Sequence, residues 1–179
     1  MGIGNTTTSS AVTAVLLGLT PESVTGRGAG LSDSGLEKKK AVIRQAIELL
    51  APDPADPIDV LAKVGGFDLA GLTGIFLAGA AAGIPVIIDG FISLTAALAA
   101  ARIAPDCVPY LIPSHVSKEP ASALLLQALG MEPGICMDLC LGEGSGAVAL
   151  LPFLDMTAAI YEQMGTFSDI HVEEYEDYT

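Results

Sequence analysis

The sequence predicts an α/β fold in which a parallel sheet is packed between helices, and three observations predict it. Segments of helical length alternate with short β-branched runs, of which Val86-Ile87-Ile88 is the clearest. The chain is 51% hydrophobic and only 16% charged, lacks tryptophan and is rich in Gly and Ala, a composition suited to close-packed helices on a buried sheet. The informative residues gather at junctions between strands and helices, Gly2–Asn5, Asp89-Gly90, Ser114–Glu119 and Gly142–Gly146, where open α/β sheets bind ligands. A length of 179 residues fits one domain with a real core.

In chain order, Thr6–Leu19 reads as a helix opened by Asn5 or Thr6 as its cap. Thr20–Ser34 reads as a Gly-rich loop containing Gly26-Arg27-Gly28-Ala29-Gly30. Glu37–Leu50 is an amphipathic helix with Val42, Ile43, Ile47 and Leu50 on one side. A Pro-rich connector over Ala51–Pro57 leads to short helices at Ile58–Val64 and Asp68–Ala82. Pro85–Ile88 is then a strand and Phe91–Ala101 a helix. Val108–Ile112 is a second strand, its limits blurred by Pro109. Glu119–Leu129 is a helix, Cys136–Leu139 a third strand, and Ser145–Met164 a long helix that Pro152 should kink or split. Residues 1–167 form the α/β unit, and 168–179 read as an acidic surface tail.

A net charge of −13, with eight Lys and Arg, excludes a phosphate-backbone partner such as nucleic acid. Lys38, Lys39 and Lys40 form the one basic run, expected to be a solvated helix face. Leu69–Ile88 is uncharged and long enough to cross a bilayer. Gly83-Ile84-Pro85 breaks it, however, and a helix, a tight turn and a buried strand account for it without a membrane. Three cysteines, Cys107, Cys136 and Cys140, with no leader peptide opening the chain, point to a reducing cytoplasm. Cys136 and Cys140 lack the further ligands of a zinc set, so no metal is expected.

Two Gly-rich turns invite chemistry. Gly2-Ile3-Gly4-Asn5-Thr6-Thr7 enters a helix whose free amides would favour a phosphate, although a plain turn and cap explains it equally well. Such a turn normally follows a strand, so the chain reads as a piece of a longer protein. Gly142-Glu143-Gly144-Ser145-Gly146-Ala147 opens the last long helix and matches the loose dinucleotide pattern G-x-G-x-x-A, with Glu162 as the only candidate ribose carboxylate. Glu143 would face a pyrophosphate bound there, which argues against a dinucleotide. A carboxylate framed by glycines is instead suited to accept a proton from a bound nitrogen heterocycle. His115 lies in a candidate site loop but reads as structural. His171 lies in the tail.

Several segments in order resemble the nicotinate-nucleotide:dimethylbenzimidazole phosphoribosyltransferase family, which builds the lower nucleotide of cobalamin. They are MGIGNTTTSSAV at Met1, GRGAGLSDSGLEKKKAVI from Gly26, GGFDLAGLTGIFLAGAAAGIPVIIDGFIS from Gly65, PSHVSKEPA from Pro113 and LCLGEGSGAVALLPFLDMTAAIYEQMGTF from Leu139. The resemblance is to the C-terminal half of the family, and it implies a Rossmann-like parallel sheet flanked by helices, incomplete here because the N-terminal half is absent, together with a cytoplasmic homodimer, no cofactor and no metal. It also implies a small apolar pocket for the base, with nicotinate mononucleotide and a benzimidazole as substrates. It places the general base on Glu143 and a lysine linked to the active site on Lys39. Substrate contacts fall on Gly2, Gly4, Asn5, Gly28, Gly90, Ser117 and Leu141.

Two departures qualify the resemblance. A second acid that precedes the MGIGNTT turn in the family is absent here, and family members are about twice as long. The chain alone is therefore expected to be inactive or nearly so. The competing readings are a non-catalytic nucleotide-binding or dimerisation module and a dinucleotide-dependent oxidoreductase built on Gly142–Ala147.

Overall fold

The computed structural model describes residues 3–173, and the element most buried in it is a single helix. That helix, α6 (Phe91–Ile103), is apolar except for Ser93, Thr95 and Arg102, and every residue from Leu94 to Ala100 is buried. Ala96, Ala97, Ala99 and Ala100 have side chains small enough for neighbours to approach its backbone closely. Around it pack α1 (Asn5–Leu17), α4 (Pro57–Val64), α5 (Phe67–Ala81) and α7 (Ala121–Leu129), which contribute Val12, Val60, Leu69, Phe76 and Leu125 to one continuous core. The short α2 (Pro21–Val24) and the long α3 (Asp33–Leu50) close one side over α1, and α8 (Ser145–Gln163) ends the chain's regular structure.

The sheet is smaller than expected. β1 (Val86–Ile88) pairs in parallel with β2 (Leu111–Pro113), with Val86 opposite Leu111 and Ile88 opposite Pro113. The third expected strand, Cys136–Leu139, does not form. The pairing continues only as one parallel bridge between His115 and Ile135, supported by Ile135 N donating to Ser114 O at 2.8 Å. A parallel strand needs cover on both faces, and Cys136, Met137 and Asp138 are exposed. The α/β class therefore stands, among the described residues, as a mostly helical unit around a two-stranded parallel sheet.

Other boundaries moved for local reasons. Val108 and Pro109 belong to a 3-10 turn (Pro105–Tyr110) instead of a strand, because Pro109 has no amide for a ladder. α3 starts four residues before the expected Glu37, because Ser32 caps it by accepting from Gly35 N at 3.2 Å. Its buried face carries Ile43 and Lys39, whereas Val42 and Leu50 are largely exposed. α1 stops at Leu17, where Gly18 takes a left-handed conformation, and its N-cap is Gly4 instead of Asn5 or Thr6. α2 interrupts what reads in sequence as loop. Pro152 does not split α8.

Leu69–Ile88 divides as expected into the end of α5, a turn through Gly83 and β1. Among the described residues, no helix is long and apolar enough to cross a membrane. The thiols also differ. Cys136 and Cys140 are exposed, whereas Cys107 is buried in the core. Burial, with a smaller push from the Asp106 charge, raises the Cys107 thiol above its ordinary value and keeps it in the unreactive protonated form to higher pH. A chromogenic disulfide at neutral pH is expected to label two thiols promptly and the third only after denaturant is added. Three equally fast thiols would contradict this packing.

Candidate functional site

The C-terminal ends of β1 and β2 deliver two short loops side by side. Asp89 and Gly90 follow β1, and Ser114 to Glu119 follow β2. Ser114 ties them together, its hydroxyl donating to the Asp89 carbonyl at 2.8 Å. The Ser114 hydroxyl also lies 2.9 Å from His115 Nδ1, and both residues are buried. This partnered, enclosed His115 fits the structural role read for it in the sequence.

The Asp89 side chain reaches a third segment. Its Oδ1 accepts from the amides of Gly146 at 2.8 Å and Ala147 at 3.1 Å, and its Oδ2 accepts from Gly144 N at 3.2 Å. Gly146 and Ala147 are in the first turn of α8, so Asp89 caps that helix from more than fifty residues away. The negative carboxylate also complements the positive end of the helix dipole. Packing leaves no alternative at residue 146, where a Cβ would come within 2.0 Å of His115 Nδ1 and 2.9 Å of Asp89 Oδ1.

This capped turn presents Glu143. Gly142, Glu143 and Gly144 all have positive φ, at 76°, 57° and 78°. Glycine adopts that conformation freely, but for a residue with a Cβ the left-handed region costs about 1–2 kcal/mol. Such a conformation persists only where the surroundings hold it, and here the Asp89 carboxylate holds the amides of Gly144, Gly146 and Ala147 that follow it. The Glu143 side chain is exposed and makes no hydrogen bond to a described residue. The same geometry weakens the dinucleotide reading, since the amides that would cradle a pyrophosphate already serve Asp89.

Ser117 sits beside Gly90, its Cβ 3.8 Å from where a Cβ on Gly90 would stand. Its amide donates to Ser122 Oγ at 3.0 Å, and its hydroxyl accepts from Glu119 N at 3.4 Å, leaving the hydroxyl proton available to a ligand. Next to it an open depression of ≈ 530 Å³ is lined by Ser117, Lys118, Cys136, Met137 and Asp138.

A second cluster adjoins the first through Glu119. Glu119 Oε1 accepts from Gly28 N at 2.9 Å. Lys39, from α3, donates to Thr6 Oγ1 at 2.9 Å and to the Gly26 carbonyl at 3.0 Å. The basic run is thus not a uniform solvated face. Lys38 is exposed and Lys40 pairs with Glu37, but Lys39 is buried beneath the Gly26–Gly28 loop. Burial lowers its pKa, and the Glu119 charge opposes that shift.

The opening turn closes with Asn5 Nδ2 donating to Asp68 Oδ2 at 2.8 Å. Gly4, at φ 86°, brings no side-chain cap to α1, and helix N-termini of this kind suit anions. Gly2 lies outside the described residues, and Leu141 is exposed. Of the residues expected from sequence, Gly90, Ser117 and the Glu143 turn meet in one place, and Lys39 and Gly28 in another. Asp68 was missed as a site residue, whereas Asp89 and Glu119 lie within strand–helix junctions that the sequence singles out, with no role assigned to either. Asp89 and Glu119 each follow a strand or precede a helix, which is the signal that was available. Their partners are remote amides that no local pattern shows.

A family model described as phosphoribosyltransferase matches residues 1–172. Nicotinate-nucleotide–dimethylbenzimidazole phosphoribosyltransferase from Ruminiclostridium cellulolyticum is 53% identical over 98% of this chain and 50% of its own length. The enzyme of that name from Acetivibrio thermocellus is 51% identical over the same shares. The crystal structure of CobT from Thermus thermophilus superposes with a TM-score of 0.88 at 42% identity, over 96% of this chain and 51% of that one. The chain spans about half the length of these relatives.

Proposed function

The chain belongs to this phosphoribosyltransferase family, and from that premise we propose that it supplies the Glu143 half of a site transferring phosphoribose from nicotinate mononucleotide to 5,6-dimethylbenzimidazole. The ring nitrogen of nicotinate is cationic while attached to ribose, so it leaves readily and takes the electron pair of the breaking C–N bond. One benzimidazole nitrogen attacks the anomeric carbon from the opposite face, inverting it to give the α-nucleotide. The second benzimidazole N–H becomes acidic as the new bond forms, and Glu143 accepts that proton.

The observation that carries the reading is the clasp of Asp89 on the α8 turn. It holds the strained turn of Glu143, whose carboxylate has no hydrogen-bond partner among the described residues, at the end of a parallel sheet, and the clasping Asp89 is followed directly by Gly90, next to Ser117 with its free hydroxyl proton. Gly90 allows a phosphate close to the backbone, Ser117 donates to it, and the uncapped start of α1 at Gly4 and Asn5 adds amides and a dipole. Gly28 offers close approach, with its own amide held by Glu119. Leu141 and Gly2 complete the expected substrate contacts. No cofactor enters this chemistry. A homodimer belongs to the same reading, and it is supported by α8, where Val148, Leu151, Phe153, Met156 and Ile160 stand exposed.

The test uses a full-length family enzyme carrying this segment beside the 179-residue chain alone. The full-length enzyme is expected to release nicotinate and form α-ribazole phosphate, and the chain alone to turn over little or not at all. Absence of transfer by the full-length enzyme would overturn the reading. Robust turnover by the chain alone would show that the remaining half of the relatives' length is dispensable.

A further inference from the structure

Lys39 and Gly28 stand out as site residues whose partners were not expected, because both are governed by one acid. Glu119 precedes α7, and its Oε1 holds the Gly28 amide at 2.9 Å. Its Oε2 is shut off from solvent, has no hydrogen-bond partner among the described residues, and lies 2.0 Å from where a Cβ on Gly26 would stand. Only glycine at 26 lets the carboxylate fit. Lys39 donates to the carbonyl of that same Gly26 and to Thr6 at the start of α1. One carboxylate and one ammonium therefore grip the Gly26–Gly28 loop from its two sides.

We propose that Glu119 is a positioning residue for substrate binding, which fixes by its carboxylate the Gly26–Gly28 loop that Lys39 also holds. The substrate part of this statement rests on the phosphoribosyl-transfer reading, because an anionic nucleotide gains from a charged Lys39 and loses from a neutral one. Burial alone works against that charge, and Glu119 is the charged neighbour that opposes it. The surroundings supply no substitute. Arg27 is turned to the Leu31 carbonyl and Asp33, Lys40 is paired with Glu37, Lys38 is exposed, and α1 offers only the Thr6 hydroxyl.

The test titrates Lys39 in the 179-residue chain by NMR of ¹³Cε-lysine, with the resonance assigned by its loss in Lys39→Arg. Glu119→Gln keeps an oxygen for the Gly28 amide and removes the charge, so the Lys39 midpoint should fall further below the ordinary lysine value. Glu119→Asp keeps the charge but withdraws the oxygen, so the midpoint should stay near wild type while exchange of the Gly28 amide speeds up. This second variant also decides the matter if Glu119→Gln does not fold. In the full-length enzyme, Glu119→Gln should raise KM for nicotinate mononucleotide roughly tenfold to a hundredfold at alkaline pH, the loss of one charge-assisted contact. The defect should shrink as pH falls and Lys39 regains its proton. An unchanged Lys39 midpoint in Glu119→Gln, unchanged Gly28 exchange in Glu119→Asp, or a KM defect equal at all pH would overturn the proposal. If wild-type enzyme makes no transfer product, the functional reading fails while the Lys39 titration still reports on Glu119.

Discussion

Replacing Glu143 with glutamine is expected to lower kcat for phosphoribosyl transfer by about 10²–10⁴-fold, the range that a positioned general base contributes. The substitution is narrow in what it removes. Glutamine has the same length and the same Cβ, so the left-handed conformation at φ 57° is no more strained than before. The side chain is exposed and bonds to no described residue, and such surface changes normally move stability by less than about 0.5 kcal/mol. The phosphate contacts proposed at Gly90 and Ser117 are untouched. Calorimetric titration with nicotinate mononucleotide should therefore give nearly wild-type affinity while steady-state turnover collapses. A variant that turns over within a fewfold of wild type would mean that holding both substrates in line does most of the work, and Glu143 would lose its role.

What the sequence made legible was the position of the functional turns, and what it hid was the set of bonds that hold them. Gly142–Gly146 and Asp89-Gly90 were readable because glycine and short polar residues at a strand's end are local signals. The core helix α6 was readable as a segment of helical length, apolar except for Ser93, Thr95 and Arg102. The grip of Asp89 on Gly144, Gly146 and Ala147 was not readable, since it joins residues more than fifty apart and depends on how α8 docks. Lys39 misled for a related reason. Three adjacent lysines look alike in sequence, and helix geometry alone decides that the middle one turns inward while Lys38 faces water and Lys40 pairs with Glu37. The third strand failed because Cys136-Met137-Asp138 has the local pattern of a strand but lacks a covering layer among the described residues. Sheet propensity there lost to the absence of anything to pack against.

The clasp itself makes the second large prediction. Asp89→Ala removes three acceptor contacts at 2.8, 3.1 and 3.2 Å and leaves the first turn of α8 without its cap. Hydrogen bonds to a charged group contribute about 1.5–3 kcal/mol each, and they are not additive when they share one carboxylate. Chemical denaturation is therefore expected to show a loss of about 2–4 kcal/mol for Asp89→Ala. Asp89→Asn should lie between this and wild type. Its oxygen can still serve Gly146 and Ala147, but its amide then faces the Gly144 amide, donor against donor. The consequence for chemistry follows from the strain at Glu143. Without Asp89, Gly142-Glu143-Gly144 has less to hold it in the left-handed region, and the carboxylate wanders from the reacting nitrogen. A displacement on the order of 1 Å costs about a hundredfold in rate, so Asp89→Asn in the full-length enzyme should lose roughly that factor in kcat although Glu143 is intact. Amide exchange at Gly144, Gly146 and Ala147 separates the two effects. The Gly144 amide should lose protection in Asp89→Asn, and all three amides should lose it in Asp89→Ala, whereas all three should keep it in Glu143→Gln, because only the Asp89 variants open the turn. If exchange at these three positions were the same in Asp89→Ala as in Glu143→Gln, the turn would be held by something other than Asp89.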